Sequence, residues 1–270
     1  MGNIESLPYR QKEYRTLLIE FADDVAVLKL NRPKANNALN SEMLDELIEV
    51  MSQIAVDGEI RVLILGSSGR SFSAGGDVES FSRFGSSEAH EFAERVVHLE
   101  RLVVDLPQPT IAAVSGFALG GGMEMVLMCD LRIAADNARF GQPEINLGII
   151  PGAGATQRLV QNISPCQAKE MIFLGETIRA AAAFEMGIVN AVVPLDKLME
   201  TALKWAKKLA AKPPLALQIA KKAINAAWSC DIETGMKMEC EAWSLLYDTE
   251  DQKEGMMALL EKRKPVFKGR

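Results

Sequence analysis

The chain alternates short apolar runs with longer segments in which apolar residues recur every three or four positions. Residues 16–20 (TLLIE) and 25–30 (VAVLKL) are apolar and rich in strand-forming side chains, and two aspartates separate them. This pattern predicts a β-hairpin. Residues 41–55 (SEMLDELIEVMSQIA) carry apolar side chains at helical spacing, so we expect a helix that begins at Ser41.

The same alternation continues along the first two thirds of the chain. It predicts strands at 61–68, 110–116, 131–136 and near 188–193, with a helix over 87–106. Only helical patterns follow, at 195–211, 213–228, 231–247 and 249–263. Alternating strands and helices predict an α/β core over residues 1–195. The strand-free remainder, 196–270, is expected to form a helical C-terminal region.

Composition narrows the class of protein. The chain has 270 residues, of which 48% are hydrophobic and 24% charged, so it has enough apolar material for a large core. The net charge of −6 provides no basic surface for nucleic acid, and we expect none to bind. No run reaches 18 apolar residues, so no membrane span is expected.

The cysteines and the N-terminus bear on the cellular compartment. Four cysteines, at 129, 166, 230 and 240, form no CxxC pair and have no histidine cluster nearby, so we expect no metal site and free thiols in a reducing compartment. The first 14 residues show neither an apolar nor an arginine-rich presequence, which favours a cytoplasmic location. The myristoylation-like stretch at 2–6 is a weak match, and we discount it.

Two glycine-rich loops, the run at 120–122 and SAGGD at 73–77, are candidates for oxygen-binding sites. GFALGGGMEMVLMCD (116–130) and PGAGATQRL (151–159) match neither the Walker pattern nor the GxGxxG dinucleotide fingerprint. Glycines that follow a strand and open a helix do expose unpaired backbone N–H groups. A second such loop is SAGGD (73–77), so one N–H from each loop could bind a developing oxyanion. The simpler alternative is that both loops are only tight turns.

Two carboxylates lie in apolar surroundings. Glu124 follows the glycine run, and Glu144 lies in the segment FGQPEINLGII. If they face one another, they cannot both ionise cheaply, and one is left as a general acid and the other as a general base, which suits the addition or removal of water. Alternatively, Glu144 caps a turn or pairs with Arg139 or Arg158. The absence of a GxSxG elbow disfavours a serine hydrolase.

These stretches together resemble the enoyl-CoA hydratase/isomerase (crotonase) superfamily, from about residue 15 to residue 268. The similarity is carried jointly by LNRPKANNALN, SFSAGGDV, AAVSGFALGGGMEMVLMCDLRIA, ARFGQPEINLGIIPGAGATQRL and EGMMALLEKRKPVFK. The resemblance implies an α/β fold built as a spiral of ββα turns, with a helical C-terminal region that supports trimerisation. It further implies a homotrimer or a hexamer made of two trimers.

The resemblance also implies roles for individual residues. The oxyanion-hole amides correspond to Ala74 and Gly121, and the hydratase acids correspond to Glu124 and Glu144. The coenzyme A contacts correspond to Lys34, Ala35, Asp77 and Val78, together with Phe267 and Lys268 from a neighbouring subunit or a mobile tail. Apart from the resemblance, Phe81, Phe84, Met123, Ile149 and Trp228 are candidates for the acyl pocket, with ordinary core residues as an equal alternative. Gly76, where many hydratases have alanine, and Met123, where a small residue is common, depart from the family pattern.

The leading hypothesis is therefore a 2-enoyl-CoA hydratase that adds water reversibly and gives a 3-hydroxyacyl-CoA. The thioester is the substrate, so no separate cofactor is expected. Within the superfamily, the alternatives are an enoyl-CoA isomerase and a hydratase of cyclic or branched enoyl-CoA thioesters. A non-catalytic acyl-CoA-binding or RNA-binding relative is the alternative from another class. The sequence leaves open the acyl chain, the direction of flux, and which glutamate is the base.

Overall fold

The computed structural model describes residues 7–270. The weak myristoylation match at 2–6 lies outside these residues. The chain forms two β-sheets surrounded by helices, with strands in the first two thirds and only helices after Val193.

The larger sheet has six strands in the order β1-β2-β3-β4-β6-β9. The predicted hairpin is confirmed: β1 and β2 pair antiparallel, and Asp23 takes the left-handed conformation (φ 57°) in the turn between them. The remaining neighbours in this sheet are parallel. Its strands are β1 (Leu17–Ala22), β2 (Val25–Leu30), β3 (Val62–Ser67), β4 (Thr110–Val114), β6 (Leu131–Ala135) and β9 (Ala191–Val193).

The smaller sheet has three short strands and was not predicted. Its strands are β5 (Phe117–Leu119), β7 (Arg139–Gly141) and β8 (Thr177–Arg179), in the order β5-β7-β8. These three strands are too short to show period-2 alternation, and unlike β9 they do not lie within a longer apolar run, so the sequence pattern does not reveal them. This sheet matters for the site because β5 leads directly into the glycine run.

The helices of the described chain agree with the predicted segments to within a few residues, and several short ones are added. They are α1 (Ser41–Ile54), α2 (Val78–Phe81), α3 (Ser86–Val104), α4 (Gly121–Met128), α5 (Ala155–Asn162), α6 (Pro165–Leu174), α7 (Ala180–Glu185), α8 (Leu198–Ala210), α9 (Pro214–Ala226), α10 (Ile232–Leu245) and α11 (Glu250–Leu260). Ser41 is the first helical residue of α1, and Asn40 is its N-cap, since the Asn40 side chain accepts from Met43 N at 3.0 Å.

The larger sheet is buried on both faces, as continuous apolar strands require. Alternate residues of β2, β3 and β4 point to opposite sides. On one side they pack with α1 and α4 in the main core. On the other side they pack under α8, through Leu198, Ala202 and Ala206. Because α8 covers the sheet, the change in packing comes after α8 and not at residue 195.

Helices α9 to α11 contribute little to that core. Helices α9 and α10 contain no buried residue. Large apolar side chains are exposed along this region, among them Ile224 (67%), Trp228 (61%), Ile232 (83%) and Leu260 (76%). Within the described part of the chain, every helix falls short of the length and apolar character that a bilayer span requires.

Candidate active site

The glycine run forms the start of α4. Gly120 is the N-cap, with φ 50° and ψ −126°, and Gly121 is the first helical residue. A first-turn N–H has no partner inside its own helix. No acceptor for the Gly121 N–H is found among residues 7–270. This amide is therefore free to bind an oxygen.

Side-chain atoms at these three glycines would meet their neighbours. A Cβ on Gly120 would lie 2.8 Å from Glu144 Oε1, and one on Gly121 would lie 2.9 Å from Leu39 Cδ1. A Cβ on Gly122 would lie 2.7 Å from the Ser73 carbonyl oxygen. The absence of side chains lets the two loops and Glu144 approach one another closely.

The second amide of the predicted pair is not that of Ala74. The Ala74 N–H donates to the Asn36 carbonyl at 2.9 Å, so it is unavailable to a substrate. The N–H of Gly76, two residues further on, has no acceptor among the described residues. Gly76 N lies 3.9 Å from the point where a Cβ on Gly121 would sit. The free amides that converge are thus those of Gly76 and Gly121.

The SAGGD loop is attached to the glycine run by backbone pairing. Ser73 N donates to the Phe117 carbonyl at 2.8 Å, and Leu119 N donates to the Ser73 carbonyl at 3.0 Å. Gly75 takes φ +100°, which allows the chain to turn so that Gly76 N faces the start of α4. The only sequence signal for Gly76 was that it departs from the family pattern.

Glu124 lies in the first turn of α4 and is 2% exposed. Its Oε1 accepts from Ala153 N at 2.8 Å and from Ala155 N at 3.0 Å. Burial raises the pKa of Glu124, and the two amide donors oppose that shift because they favour the carboxylate. The N-terminal end of α5 therefore stabilises the ionised form of this buried side chain.

Glu144 lies in the 3-10 turn Pro143–Leu147 and is half-buried. Burial raises its pKa to about 7, and the charge of Glu124 adds to the shift. The hydrogen-bond network orients the buried Gln142 amide so that its nitrogen donates to both Glu144 oxygens, at 3.1 Å each. Sequence reasoning missed Gln142, because an isolated glutamine carries no signal beyond its place in the motif.

The two carboxylates face the same short stretch of backbone. Glu144 Oε1 approaches Gly120, and Glu124 Oε2 lies 4.0 Å from the Cβ position of Gly121. Arg158, one of the alternative partners for Glu144, is paired with Glu100. Two titratable acids therefore flank one free amide, which is an arrangement for proton transfer beside a developing oxyanion.

The predicted coenzyme A residues of the N-terminal half lie beside this site. Lys34 and Ala35 belong to the 3-10 turn Pro33–Ala35, whose neighbour Asn36 bonds to Ala74. Asp77 caps α2 and forms an ion pair with Arg32 at 3.0 Å. Burial raises the pKa of Asp77, but the hydrogen bond from Ser80 N and the pairing with Arg32 together hold that pKa below its usual value. Val78 follows at the start of α2 and is 56% exposed.

Phe267 and Lys268 are not brought to this site within the same chain. Lys268 N donates to Asp251 at 2.6 Å, and Arg61 donates to the Phe267 carbonyl at 3.5 Å. Arg61 precedes β3, whereas the SAGGD loop follows β3. The tail and the site therefore lie at opposite ends of that strand, and the chain does not bring these two residues to its own site.

The predicted acyl-pocket residues divide into two groups. Phe81 packs on Gly76, where a Cβ would lie 2.2 Å from its ring, and it contacts Phe84 at a ring-centroid distance of 5.3 Å. Met123 is fully buried beside Glu124, and Ile149 is 49% exposed after the Glu144 turn. All four lie near the site.

Trp228 does not belong to this group. It borders a cavity of about 550 Å³ lined also by Leu127, Arg132 and Asn225, at the C-terminal end of α4. Because Gly121 and Glu124 lie at the opposite end of α4, the structure places Trp228 apart from the other candidate acyl-pocket residues.

Comparison with known proteins identifies the family. The sequence model of the enoyl-CoA hydratase/isomerase family matches residues 20–270. A crotonyl-CoA hydratase of Syntrophomonas wolfei subsp. wolfei is 43% identical, over 94% of this chain and 98% of its own. A short-chain-enoyl-CoA hydratase of Clostridium acetobutylicum is 44% identical, over 93% and 97%. The crystal structure of an enoyl-CoA hydratase from Bacillus anthracis superposes with a TM-score of 0.92 at 39% identity and covers 95% of this chain and all of its own. The chain belongs to the enoyl-CoA hydratase/isomerase family and has its spiral α/β fold.

Proposed function

We propose that this protein is an enoyl-CoA hydratase that adds water reversibly across the 2,3 double bond of an enoyl-CoA thioester. The observation that carries the proposal is the pair Glu124 and Glu144 beside the free amide of Gly121. The relatives named above carry the same activity in their names. The thioester is the substrate, and the reaction requires no separate cofactor.

The surroundings of the two acids suggest their roles. Glu124 accepts two backbone N–H groups on one oxygen, which favours its carboxylate. Glu144, with a pKa of about 7, can carry a proton at neutral pH. In our proposal Glu124 takes a proton from the water as its oxygen attacks the β-carbon, and Glu144 delivers its own proton to the α-carbon. The addition leaves Glu124 protonated and Glu144 ionised, and proton exchange with solvent returns the pair to its starting state. The reverse reaction uses the same groups in exchanged roles.

Gly76 and Gly121 are the proposed oxyanion hole. As water adds, electron density moves from the double bond onto the thioester oxygen. Two amides held in place by the surrounding backbone stabilise that charge without needing to reorganise. The free N–H groups and the attachment of the loop to β5 support this role.

We further propose a short linear enoyl chain as substrate. The names of the relatives support a short chain. An isomerase needs one acid that moves a proton between two carbons, whereas two acids flanking one amide favour hydration. The proposed assembly is a cytoplasmic trimer or hexamer in which Phe267 and Lys268 contact the coenzyme A of a neighbouring subunit.

The first experiment compares Glu124→Gln and Glu144→Gln with the unmodified protein. Each substitution is expected to lower kcat by roughly 10²- to 10⁴-fold, the usual range for a positioned acid or base. Activity is measured as loss of the conjugated-thioester absorbance over a panel of linear, branched and cyclic enoyl-CoA thioesters.

Glu46→Gln is the matched control. Glu46 is a half-buried glutamate that accepts from Arg15 N and Thr16 N and bonds none of the site residues, so its variant should keep kcat. Near-normal turnover by either site variant on the best substrate would contradict the two-acid mechanism. If the protein turned over only a cyclic or branched thioester, the proposal of a short linear substrate would be wrong.

A further inference from the structure

Helices α4 and α5 both begin at the site and both end behind it. Helix α4 supplies the Gly121 N–H and Glu124, and the first residue of α5, Ala155, donates to Glu124 at 3.0 Å. Each helix has eight residues and therefore spans about 12 Å. Their C-terminal ends both accept hydrogen bonds from one side chain, that of Arg132 in β6.

The Arg132 guanidinium closes the C-terminal end of α4. Nε donates to the Val126 carbonyl at 3.1 Å and to the Cys129 carbonyl at 3.3 Å, and Nη2 donates to the Leu127 carbonyl at 3.1 Å. The last carbonyls of a helix have no partner within it, so these bonds supply acceptors in α4 with the donors that they lack.

The same guanidinium reaches the last residue of α5. Nη1 donates to Asn162 Oδ1 at 2.8 Å and to the Ile188 carbonyl at 3.1 Å. The Asn162 amide in turn donates to the Arg158 carbonyl inside α5, at 2.8 Å. Arg132 is also fixed at its own backbone, because its N–H donates to Asn190 Oδ1 at 2.7 Å.

Charge and shape both suit arginine at this place. The C-terminal ends of helices carry partial negative charge, and two such ends meet one cation here. Burial lowers the pKa of Arg132, with Asp130 opposing the shift, yet arginine stays protonated in proteins. A lysine has a single ammonium and cannot supply donors in the planar fork that reaches both helices.

We propose that Arg132 is a positioning residue for the hydration reaction, which holds α4 and α5 so that Ala155 N–H bonds Glu124 while Gly121 N–H stays aimed at the substrate oxygen. The inference rests on the proposed roles of Glu124 and Gly121. Arg132 touches neither of them and acts through the two helices. A displacement of about 1 Å at a reacting group can cost up to 10²-fold in rate, so its loss should be visible in turnover.

The test uses Arg132→Met and Arg132→Lys in the full-length protein, with a short linear 2-enoyl-CoA as substrate. In Arg132→Met, kcat should fall by about 10- to 100-fold while KM changes by less than about threefold, since the substrate-binding loops are untouched. Arg132→Lys should lie between this variant and the unmodified protein.

The pH profile provides a second readout that simple loss of stability would not change. Weaker amide bonds to Glu124 raise its pKa, so the acidic limb of kcat/KM should move to higher pH in Arg132→Met. Glu144 is the acid that faces Glu124 across the site, and the charge of Glu124 contributes to its raised pKa, so both limbs are recorded in the same profile. Amide hydrogen exchange in 121–128 and 153–162 should also become faster.

Arg10→Met is the matched control. Arg10 is an arginine that forms an ion pair with the buried Asp57 at 2.8 Å, far from the site. Its variant should lose thermal stability but keep kcat and the acidic limb. An Arg132→Met variant that loses stability but keeps kcat and the acidic limb would overturn the proposal. So would a variant in which KM rises together with the fall in kcat while the acidic limb of kcat/KM stays in place.

Asn162→Ala separates the positioning role from folding. It removes the bond between Arg132 and α5 and leaves the contacts with α4 in place. We expect kcat to fall by about 3- to 10-fold, with the acidic limb of kcat/KM moved to higher pH as in Arg132→Met. Unchanged kcat and an unchanged limb would overturn the proposal, even if Arg132→Met fails to fold.

If the unmodified protein showed no hydratase activity, the proposed function would fail. The hydrogen-exchange comparison would then still decide whether Arg132 fixes the two helices.

Discussion

At the scale of single residues, the two glutamates differ in the groups that surround them. Glu124 is almost fully buried and receives two backbone amides, whereas Glu144 is half-buried and receives a side-chain amide. Burial raises the pKa of both, and the amides oppose it at Glu124. Different surroundings for two neighbouring acids are what separate a base from an acid at one pH.

This difference predicts the pH dependence of activity. Raising the pH through about 7 removes the proton from Glu144, so the pair loses its acid and kcat/KM should fall about tenfold per pH unit above that limb. Lowering the pH until Glu124 is protonated removes the base, so the profile is a bell. Hydration neither consumes nor releases a proton, so dehydration of the 3-hydroxyacyl-CoA must follow the same bell.

The measurement is kcat/KM in both directions between pH 5 and 10, on the unmodified protein and on Glu144→Gln. Glu144→Gln should lose the limb near 7. An alkaline limb that persists in Glu144→Gln would assign that ionisation to another group. The two limbs belong to the pair as a whole, because neighbouring acids titrate together.

At the scale of elements, whether the sequence pattern predicts a strand or helix depends on how many residues that element contains. Strands of five or six residues and helices of ten or more carry a readable period, and β1, β2, β3, α1 and α3 were predicted within a few residues. The three-residue strands of the smaller sheet carry none. The motifs predict that the two glutamates and Gly121 share one site, and the structure places these three residues close together, while their roles stay predictions. Gly76 was missed, because which N–H stays free depends on the Asn36 carbonyl, a contact made only in three dimensions.

The approach of α4 to the SAGGD loop gives a test at this scale. A Cβ on Gly122 would lie 2.7 Å from both the carbonyl oxygen and the Cβ of Ser73, and the backbone atom cannot move aside easily. Gly122→Ala should therefore lower the free energy of unfolding by about 1–3 kcal/mol and separate the two oxyanion loops.

Gly152→Ala is the control for that change. Gly152 has no atom within 4 Å of its Cβ position, so its variant should match or slightly exceed the unmodified stability. Both are measured by urea unfolding together with kcat. Equal stability of the two variants would show that the helix can shift without cost.

At the scale of the whole molecule, the C-terminal third is incompletely packed within one chain. Helices α9 and α10 bury no residue, and apolar side chains such as Ile224 and Ile232 are exposed. The tail is held on its own chain by Asp251, which is 3% exposed and accepts from Lys268 N and Gly269 N. Both features favour an assembly of several chains, since exposed apolar surface of this kind usually marks an interface.

We therefore expect light scattering to give the mass of three or six chains at micromolar concentration. Ile224→Glu should weaken the assembly and raise KM for the CoA thioester, because a neighbour's Phe267 and Lys268 would no longer reach it. Lys222→Glu, an exposed change on the same helix, should leave both unchanged. A fully active monomer would show that Phe267 and Lys268 of a neighbouring subunit are not needed for activity.

The three glycines at the start of α4 also constrain how the gene can change. Every single-nucleotide change of a glycine codon that alters the amino acid introduces a residue with a Cβ. At Gly120 that atom would meet the Glu144 carboxylate, at Gly121 the Leu39 side chain, and at Gly122 the backbone of Ser73. Every amino-acid change at these three positions that needs one nucleotide therefore disturbs Glu144, Leu39 or the loop that contains Ser73. In a library of all single-codon variants selected for activity, we expect these three positions to accept little besides synonymous changes, while Gly152 varies freely.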